Sequence, residues 1–230
     1  AGWKLLLTNQ FHDILPGSSI KPVYEDADAD YEKVFKIGND AAGSAQAGLT
    51  SAISGNAGDI VVFNPAGFDR ADIAFAETAA AGIKNSVSQR TADGRLCFMA
   101  TVPAKGWAVF SPSETVSEGE TAAFNGNVLE SPFYRVTLDK NGFFRSVYDK
   151  KNGREVLTPG KAANLLRVYE DLPLNNDAWD INVFYREKFT EMTDMTSCAL
   201  AENGPVYATL RQTRRFNKST LTQDIRFYHD

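Results

Sequence analysis

Cysteine, histidine and methionine are scarce in this 230-residue chain, which holds two, two and three of them. Cys97 and Cys198 stand far apart, each inside a strand-like run, which excludes a disulfide framework and a closely spaced thiolate metal site. With only His12 and His229 available, any imidazole chemistry must use one of the two. No apolar run reaches the ~20 residues that a helical membrane span needs, and no charged-then-apolar leader opens the chain. A cytoplasmic setting with no membrane partner is therefore expected. Positive charge is not in excess either: 24 Lys and Arg against 29 Asp and Glu leave a formal net charge of -5 and a pI of about 5.2. Such a balance offers no basic face to displace counterions, so nucleic acid is not expected as a partner. The one basic run, Arg211 to Lys218, alternates with Leu210, Phe216 and Leu221 and reads as the solvated face of a strand.

What is there is ordinary globular material, 43% hydrophobic and 23% charged, and the length suffices for a sizeable core. The opening, AGWKLLLTNQF, has Trp3, Leu6, Leu7 and Phe11 on or near one helical stripe and no capping residue before it. The closing TLTQDIRFYHD alternates as a strand without a turn signal, so residues are expected beyond both ends. Between Ile20 and Gly38, Tyr24, Ala27, Tyr31, Val34 and Phe35 follow helical spacing and predict one buried stripe. Ser18 or Ser19 can cap this helix, Pro22 is tolerated in its first turn, and Glu25 and Asp26 suit its positive end. The Ala-rich run from Asn39 to Ile53 continues or resumes the helix until Ser54-Gly55-Asn56 breaks it.

From Asp59 the period changes to two. IVVFNP, ADIAFAE and LCFMATVPAKGWAVFSP predict a small β-domain with a hairpin turn at Asp93-Gly94. The polar stretch SETVSEGETAAFNGN reads as a linker. Beyond it, strands meeting at Asp139-Lys140-Asn141-Gly142 and turning again at Lys151-Asn152-Gly153 predict an antiparallel sheet. Further strands are expected at Leu165 to Tyr169, Phe184 to Phe189, Tyr207 to Phe216 and Leu221 to Tyr228, enough for a layer or more of a sandwich. The fold class is thus α+β. Its divisions fall at 1–56 for a helical, three-helix-bundle-like segment, 58–115 for the small β-domain, and 125–230 for an incomplete large β-sandwich.

The residues with most chemical content are Asn9-Gln10-Phe11-His12-Asp13-Ile14-Leu15-Pro16-Gly17-Ser18, where polar side chains crowd an otherwise apolar helix end. By residue type alone the His12-Asp13 pair reads either as a helix cap or as a ligand site, since a neutral imidazole is a common metal ligand and a neighbouring carboxylate orients it. A single histidine cannot hold zinc alone. His229, near the last residue, is expected to be exposed and without a role.

NQFHDILPGSSI followed by VYEDADADYEKV resembles the helical segment of glycoside hydrolase family 38 α-mannosidases, in particular their bacterial and cytosolic branch. Other branches have a second histidine where Phe11 stands. A second stretch, Glu170-Asp171-Leu172-Pro173-Leu174-Asn175-Asn176-Asp177-Ala178-Trp179-Asp180-Ile181, is similar to a loop of that family's sandwich domain. The resemblance implies that His12 is one of four ligands to a divalent metal, zinc or in some members cobalt, and that Asp13 hydrogen-bonds mannose hydroxyls. For Asp177, Trp179 and Asp180, turn chemistry is one reading and a place facing the sugar is the other, because aromatic faces stack on sugars and carboxylates bind hydroxyls. The resemblance also implies a galactose-mutarotase-like sandwich, a mannose-containing oligosaccharide as partner, and a retaining mechanism with two carboxylates. No catalytic residue of this chain is assigned. The nucleophile, the acid/base and the other metal ligands are expected in an N-terminal catalytic domain of the same polypeptide, so this chain alone is expected to be inactive. Homo-oligomerisation stays open. Two rivals remain: a carbohydrate-binding β-sandwich module without catalysis, and a structural domain in which His12 and Asp13 only cap a helix.

Overall fold

A computed structural model describes residues 1–175 and 180–229. It contains two compact units, Ala1–Ser54 with Tyr169–Thr190, and Gly55–Val168 with Glu191–Asp230.

The first unit opens with helices α1 (Gly2–Thr8) and α2 (Lys21–Ala52). The Ala-rich run does continue the helix: alanine has the highest helix propensity, and Gly38, Gly43 and Gly48 weaken the 32-residue α2 without breaking it. The described residues contain two helices here and not the three of a bundle. Two helices bury little more than the line along which they meet. Ala27 is buried, Tyr24, Tyr31 and Val34 are half-buried, and Phe35 stays 64% exposed. Trp3, Leu7 and Phe11 of the opening stripe are likewise exposed.

The start of α2 departs from expectation. Its N-cap position is Ile20, with no side-chain cap, and Pro22 lies in the first turn. No acidic residue sits in that turn, and Glu25 instead faces Lys21 at 3.5 Å. In the remainder of this unit, the expected strand from Phe184 is a 3-10 turn, Val183–Glu187. The Tyr185 amide donates back to the Asn182 carbonyl at 3.1 Å, and the Tyr185 ring meets Tyr169 edge-on at 5.3 Å, so ring packing replaces a ladder.

The second unit is β throughout. Its first strands are β1 (Ile60–Phe63), β2 (Arg70–Ala76), β3 (Gly82–Ile83), β4 (Ser88–Arg90), β5 (Leu96–Val102), β6 (Trp107–Phe110) and β7 (Pro112–Ser113). All pairings are antiparallel: β2-β5-β4 forms a sheet, and β1-β6 and β3-β7 form ribbons. Leu96, Phe98, Ala100 and Val102 of β5 are buried beside Ile83, and Phe110 packs on Phe98 at 5.0 Å. Gly94 makes the β4–β5 turn at φ +87, the hairpin the sequence predicts.

A second group comprises β8 (Ala123–Phe124), β9 (Val128–Glu130), β10 (Tyr134–Leu138), β11 (Phe144–Asp149) and β12 (Arg154–Glu155), in the order β12-β11-β10-β9-β8. The expected turns are present, with Gly142 at φ +74 and Gly153 at φ +63. The Asp139 carboxylate fixes the first of them by accepting the amides of Asn141 at 2.8 Å and Phe143 at 3.0 Å. After a ribbon of β13 (Arg167–Tyr169) and β14 (Phe189–Glu191), strands β15 (Met195–Asn203), β16 (Tyr207–Phe216) and β17 (Ser219–Tyr228) form a three-stranded sheet. Leu129, Val136 and Leu138 of the five-stranded sheet share a core with Leu210 and Phe227 of the three-stranded one. Two layers therefore face each other, and the class is α+β.

The polar stretch read as a linker is instead tied into the unit. The Asn203 side chain brackets Ala122, accepting its amide at 2.9 Å and donating to its carbonyl at 2.7 Å, while Ser117 Oγ meets Ser88 Oγ at 2.8 Å. Few large apolar residues are needed when buried backbone groups find side-chain partners. The basic run also splits. Arg211 and Arg215 lie on the exposed face of β16, but Arg214 is 1% exposed. His229, expected to be exposed, is half-buried; Nδ1 lies 3.1 Å from the Glu120 carbonyl, and Nε2 is buried without a partner among the described residues. Burial lowers its pKa below the ordinary histidine value. Cys97 is buried in β5, and Cys198 in β15 is half-buried.

Candidate functional site

His12 and Asp13 lie on the turn between α1 and α2, and almost every other polar group of that turn is spent on holding it. At its start, buried Asn9 donates through Nδ2 to the Leu5 carbonyl at 3.0 Å and to Asp30 of α2 at 3.5 Å. Gln10 donates to the Tyr31 hydroxyl at 3.2 Å. At its end, the Tyr24 hydroxyl accepts the Ser19 amide at 2.8 Å and lies 3.5 Å from the carbonyls of both Asp13 and Ile14. Ser19 Oγ donates to the Asp13 carbonyl at 2.7 Å, with Ser18 Oγ at 3.4 Å from the same oxygen. The serines expected to cap α2 thus face backward, onto the Asp13 backbone. Gly17 closes the turn at φ +81, a conformation that strains any residue with a Cβ.

The two side chains at the centre do no comparable work. The His12 side chain is 75% exposed and that of Asp13 is 45% exposed. Nε2 of His12 stands 3.7 Å from Oδ2 of Asp13, and the imidazole tilts against Phe11 with ring centroids 4.3 Å apart. A carboxylate placed beside an imidazole can orient it, as for metal-bound histidines. The donor set fits a single metal ligand. Zinc sites take about four ligands, and among the described residues no group of three or more His, Cys, Asp or Glu side chains comes together.

Asp180 is described and exposed, at one end of the loop between β13 and β14. Asp177 and Trp179 lie outside the described residues. The base of this loop is braced by the Glu170 amide, which donates to the Lys188 carbonyl at 3.0 Å, and by an ion pair of the same two residues at 2.7 Å. The sequence marks Asn9 as part of the polar helix end and Tyr24 and Tyr31 as part of the α2 stripe, but not that these residues and Asp30 position the His12 turn; the signal for the tyrosines is a hydroxyl on an otherwise apolar stripe.

The comparisons with known proteins divide along the same lines. Residues 1–49, which include His12 and Asp13, match the α-mannosidase middle domain, and residues 129–230 match the C-terminal domain of glycosyl hydrolases family 38. The chain belongs to glycosyl hydrolase family 38. This family 38 chain is 30% identical over 193 residues to alpha-mannosidase 2C1 of Homo sapiens, an alignment covering 80% of the chain and 17% of the relative. The Mus musculus protein of the same name is 30% identical over 194 residues with the same coverage. Alpha-mannosidase G of Dictyostelium discoideum is 25% identical over 249 residues, covering 89% of the chain and 22% of its own length. The chain therefore spans about a sixth of the two mammalian relatives. Among the described residues no helix is long and apolar enough to cross a membrane.

Proposed function

We propose that this chain is part of a metal-dependent, retaining α-mannosidase that removes α-linked mannose from glycans, and that His12 is its contribution to the metal. The observation that carries the reading is a turn whose backbone is fixed by Asn9, Ser19 and Tyr24 while the adjacent imidazole and carboxylate stay exposed, within a stretch matched by an α-mannosidase domain. A purely structural cap would use those side chains on backbone amides, and this turn uses its serines and a tyrosine instead.

In this reading His12 donates an imidazole nitrogen to a divalent ion, zinc in the first instance with cobalt as the alternative, whose other ligands come from elsewhere in the polypeptide. When bound, such an ion supplies a positively charged anchor for sugar hydroxyls and favours ring distortion toward an oxocarbenium-like state. Asp13 orients the imidazole and accepts hydrogen bonds from mannose hydroxyls, a use for a carboxylate that the fold leaves idle. The carboxylates that attack the anomeric carbon and protonate the leaving oxygen belong to an N-terminal catalytic domain of the same polypeptide. The two facing sheets of the second unit are read as part of a larger galactose-mutarotase-like sandwich, and the protein as cytoplasmic.

The test is hydrolysis of p-nitrophenyl α-mannoside by the complete polypeptide, with metal content measured in parallel. His12→Ala is expected to lower kcat/KM by at least roughly a hundredfold and to reduce bound metal. Thermal stability should hardly change, because substitutions at exposed positions stay within about 0.5 kcal/mol. A His12→Ala enzyme with normal metal content and turnover would overturn the assignment.

A further inference from the structure

We propose that the Asn125-Gly126 step, in the turn between β8 and β9, is a self-modifying site, at which the glycine nitrogen attacks the asparagine carboxamide and Asn125 ends as isoaspartate or aspartate. Four Asn-Gly steps lie in the second unit, at 125–126, 141–142, 152–153 and 203–204. In each the glycine has no side chain to shield its own nitrogen. Residue type therefore ranks the four alike, and the hydrogen bonds around each decide which can react.

The reaction needs a glycine nitrogen free to turn onto Cγ, a carboxamide nitrogen free to leave as ammonia, and donors for the carboxamide oxygen, which gathers negative charge in the tetrahedral intermediate. Asn125 meets all of these. Its Oδ1 accepts the backbone amides of Asn127 at 3.2 Å and Val128 at 2.8 Å, so two donors already face the developing oxyanion. Neither Nδ2 of Asn125 nor the Gly126 amide donates a hydrogen bond among the described residues. Asn125, Gly126 and Asn127 are exposed, and no atom stands within 4 Å of where a Cβ would sit on Gly126, so water reaches the step. The other three steps each lack a requirement. At Asn141 the Gly142 nitrogen is committed to the Asp139 carbonyl at 2.9 Å and is buried. At Asn203 both ends of the carboxamide are spent on Ala122, and the buried Gly204 amide donates to the Tyr207 carbonyl at 3.2 Å. Asn152 is exposed, but its Nδ2 is held by the Asp149 carboxylate at 2.7 Å and its Oδ1 accepts nothing among the described residues.

Water is the only co-reactant. Hydroxide takes the Gly126 amide proton as the bond from that nitrogen to Asn125 Cγ forms. Nδ2 takes a proton from water as its bond to Cγ breaks, and ammonia departs. Water then opens the cyclic imide, at the Asn125 α-carbonyl to leave isoaspartate, or at Cγ to leave aspartate. Isoaspartate routes the main chain through Cβ and Cγ, which lengthens the turn that sets Phe124 opposite Leu129 and so loosens β8, a two-residue edge strand, from β9.

The test is to age the full polypeptide in warm, mildly alkaline buffer and follow each Asn-Gly step by peptide mass mapping, with isoaspartate located by enzymatic methylation. One oxyanion donor is worth roughly 100- to 1,000-fold in a dry active site, and water competes at an exposed turn. Asn125 is therefore expected to convert at least roughly tenfold faster than Asn152, a barrier difference of about 1.4 kcal/mol, while Asn141 and Asn203 keep their amides. In urea, where the turns are lost, the four rates should converge. Asn125→Gln, whose longer side chain must close a larger ring, should stop conversion at this position with the circular dichroism spectrum unchanged. Asn125 converting no faster than Asn152 in the folded protein, or keeping in the fold the rate it has in urea, overturns the proposal. Mannoside hydrolysis plays no part in the readout, so the result is independent of the glycosidase reading.

Discussion

Arg214 provides the sharpest quantitative test of how the two layers of the second unit are joined. It is 1% exposed, yet no carboxylate pairs with it among the described residues. Nη1 donates to the carbonyls of Asn141 and, at 3.1 Å, Met192, Nη2 donates to Gln212 Oε1 at 2.9 Å, and the guanidinium lies 4.8 Å from the Phe143 ring centroid. Gln212 in turn donates to the Gly142 carbonyl at 3.0 Å. The β10–β11 turn is thus clamped onto β16 by one buried cation, and burial pulls the pKa of that cation below the ordinary arginine value. Arg214→Ala strands three acceptors, those of Met192 and Gln212 buried and that of Asn141 partly so, each buried one worth about 1–3 kcal/mol when left unpaired. Their relaxation together makes the sum smaller than three full terms, and with the cavity left by the side chain we expect a loss of about 3–5 kcal/mol. That is a large part of the ~5–15 kcal/mol that holds a domain folded. Arg214→Met should cost less, because it fills space and removes the buried charge. Urea titration followed by circular dichroism measures both. An alanine variant losing under about 1 kcal/mol would mean that water replaces the guanidinium at little cost, and the clamp would be refuted.

Four further outcomes are expected. Asp139 and Glu202 both have carboxyl pKa values below the ordinary range: burial opposes the charged form, but hydrogen bonds from Arg145 and the turn amides to Asp139, and from Ala92, Thr209 and Tyr207 to Glu202, outweigh it. A depressed folded-state pKa gives stability that is present above the unfolded value near 4 and is lost as pH falls through the folded one, so Glu202→Gln should flatten the acid limb of the stability profile and leave neutral pH behaviour less changed. Gly142→Ala should destabilise by about 2–3 kcal/mol, since a Cβ there stands 2.5 Å from Met195 Sδ and 2.8 Å from Arg214 Nη2 at φ +74; a neutral result in thermal melts contradicts this. Tyr24→Phe, which removes the hydroxyl behind the His12 turn, should weaken metal binding by the full enzyme roughly tenfold in chelator competition. This chain by itself, with one ligand, should bind zinc no better than an exposed histidine, and tight stoichiometric binding in calorimetry would show that further ligands lie within it.

Features written in local code were legible in the sequence. Turns at Asp93-Gly94, Asp139 to Gly142 and Lys151 to Gly153 need a left-handed residue, and glycine announces it. The strands of the second unit declared themselves by alternation, and α2 by its stripe and its alanines. What failed depended on tertiary partners. Arg214 looks like Arg211 and Arg215 until the carbonyls of Asn141 and Met192 are known, because alternation says which side a residue faces and not what waits there. The stretch around Ala122 lacks large apolar residues and so resembles a linker, but its burial is secured by the amide of Asn203, 81 positions away. Phe184 and Tyr185 have strand-forming side chains that ring packing on Tyr169 draws into a 3-10 turn.

The His12 turn follows a different logic. A sequence rule assigns Ser18 and Ser19 to the helix that follows them, and the structure gives them to the carbonyl of Asp13. That exchange leaves α2 without a side-chain cap, a sacrifice of roughly 1 kcal/mol in helix stability. Stability alone does not favour it, because a serine rotated onto the first-turn amides would satisfy donors that otherwise depend on solvent. The exchange fits a site: with the Asp13 backbone held by Ser19 and Tyr24, neither its carboxylate nor the neighbouring imidazole is needed to keep the turn in shape, and both remain exposed. Groups that must meet a ligand are held by partners that do not themselves touch it. If the turn were only a connector, Ser19→Ala would be expected to free a backbone that mattered to nothing else, with metal content and mannoside turnover of the complete enzyme unchanged. Loss of both alongside an intact thermal transition is the outcome that this arrangement of hydrogen bonds predicts.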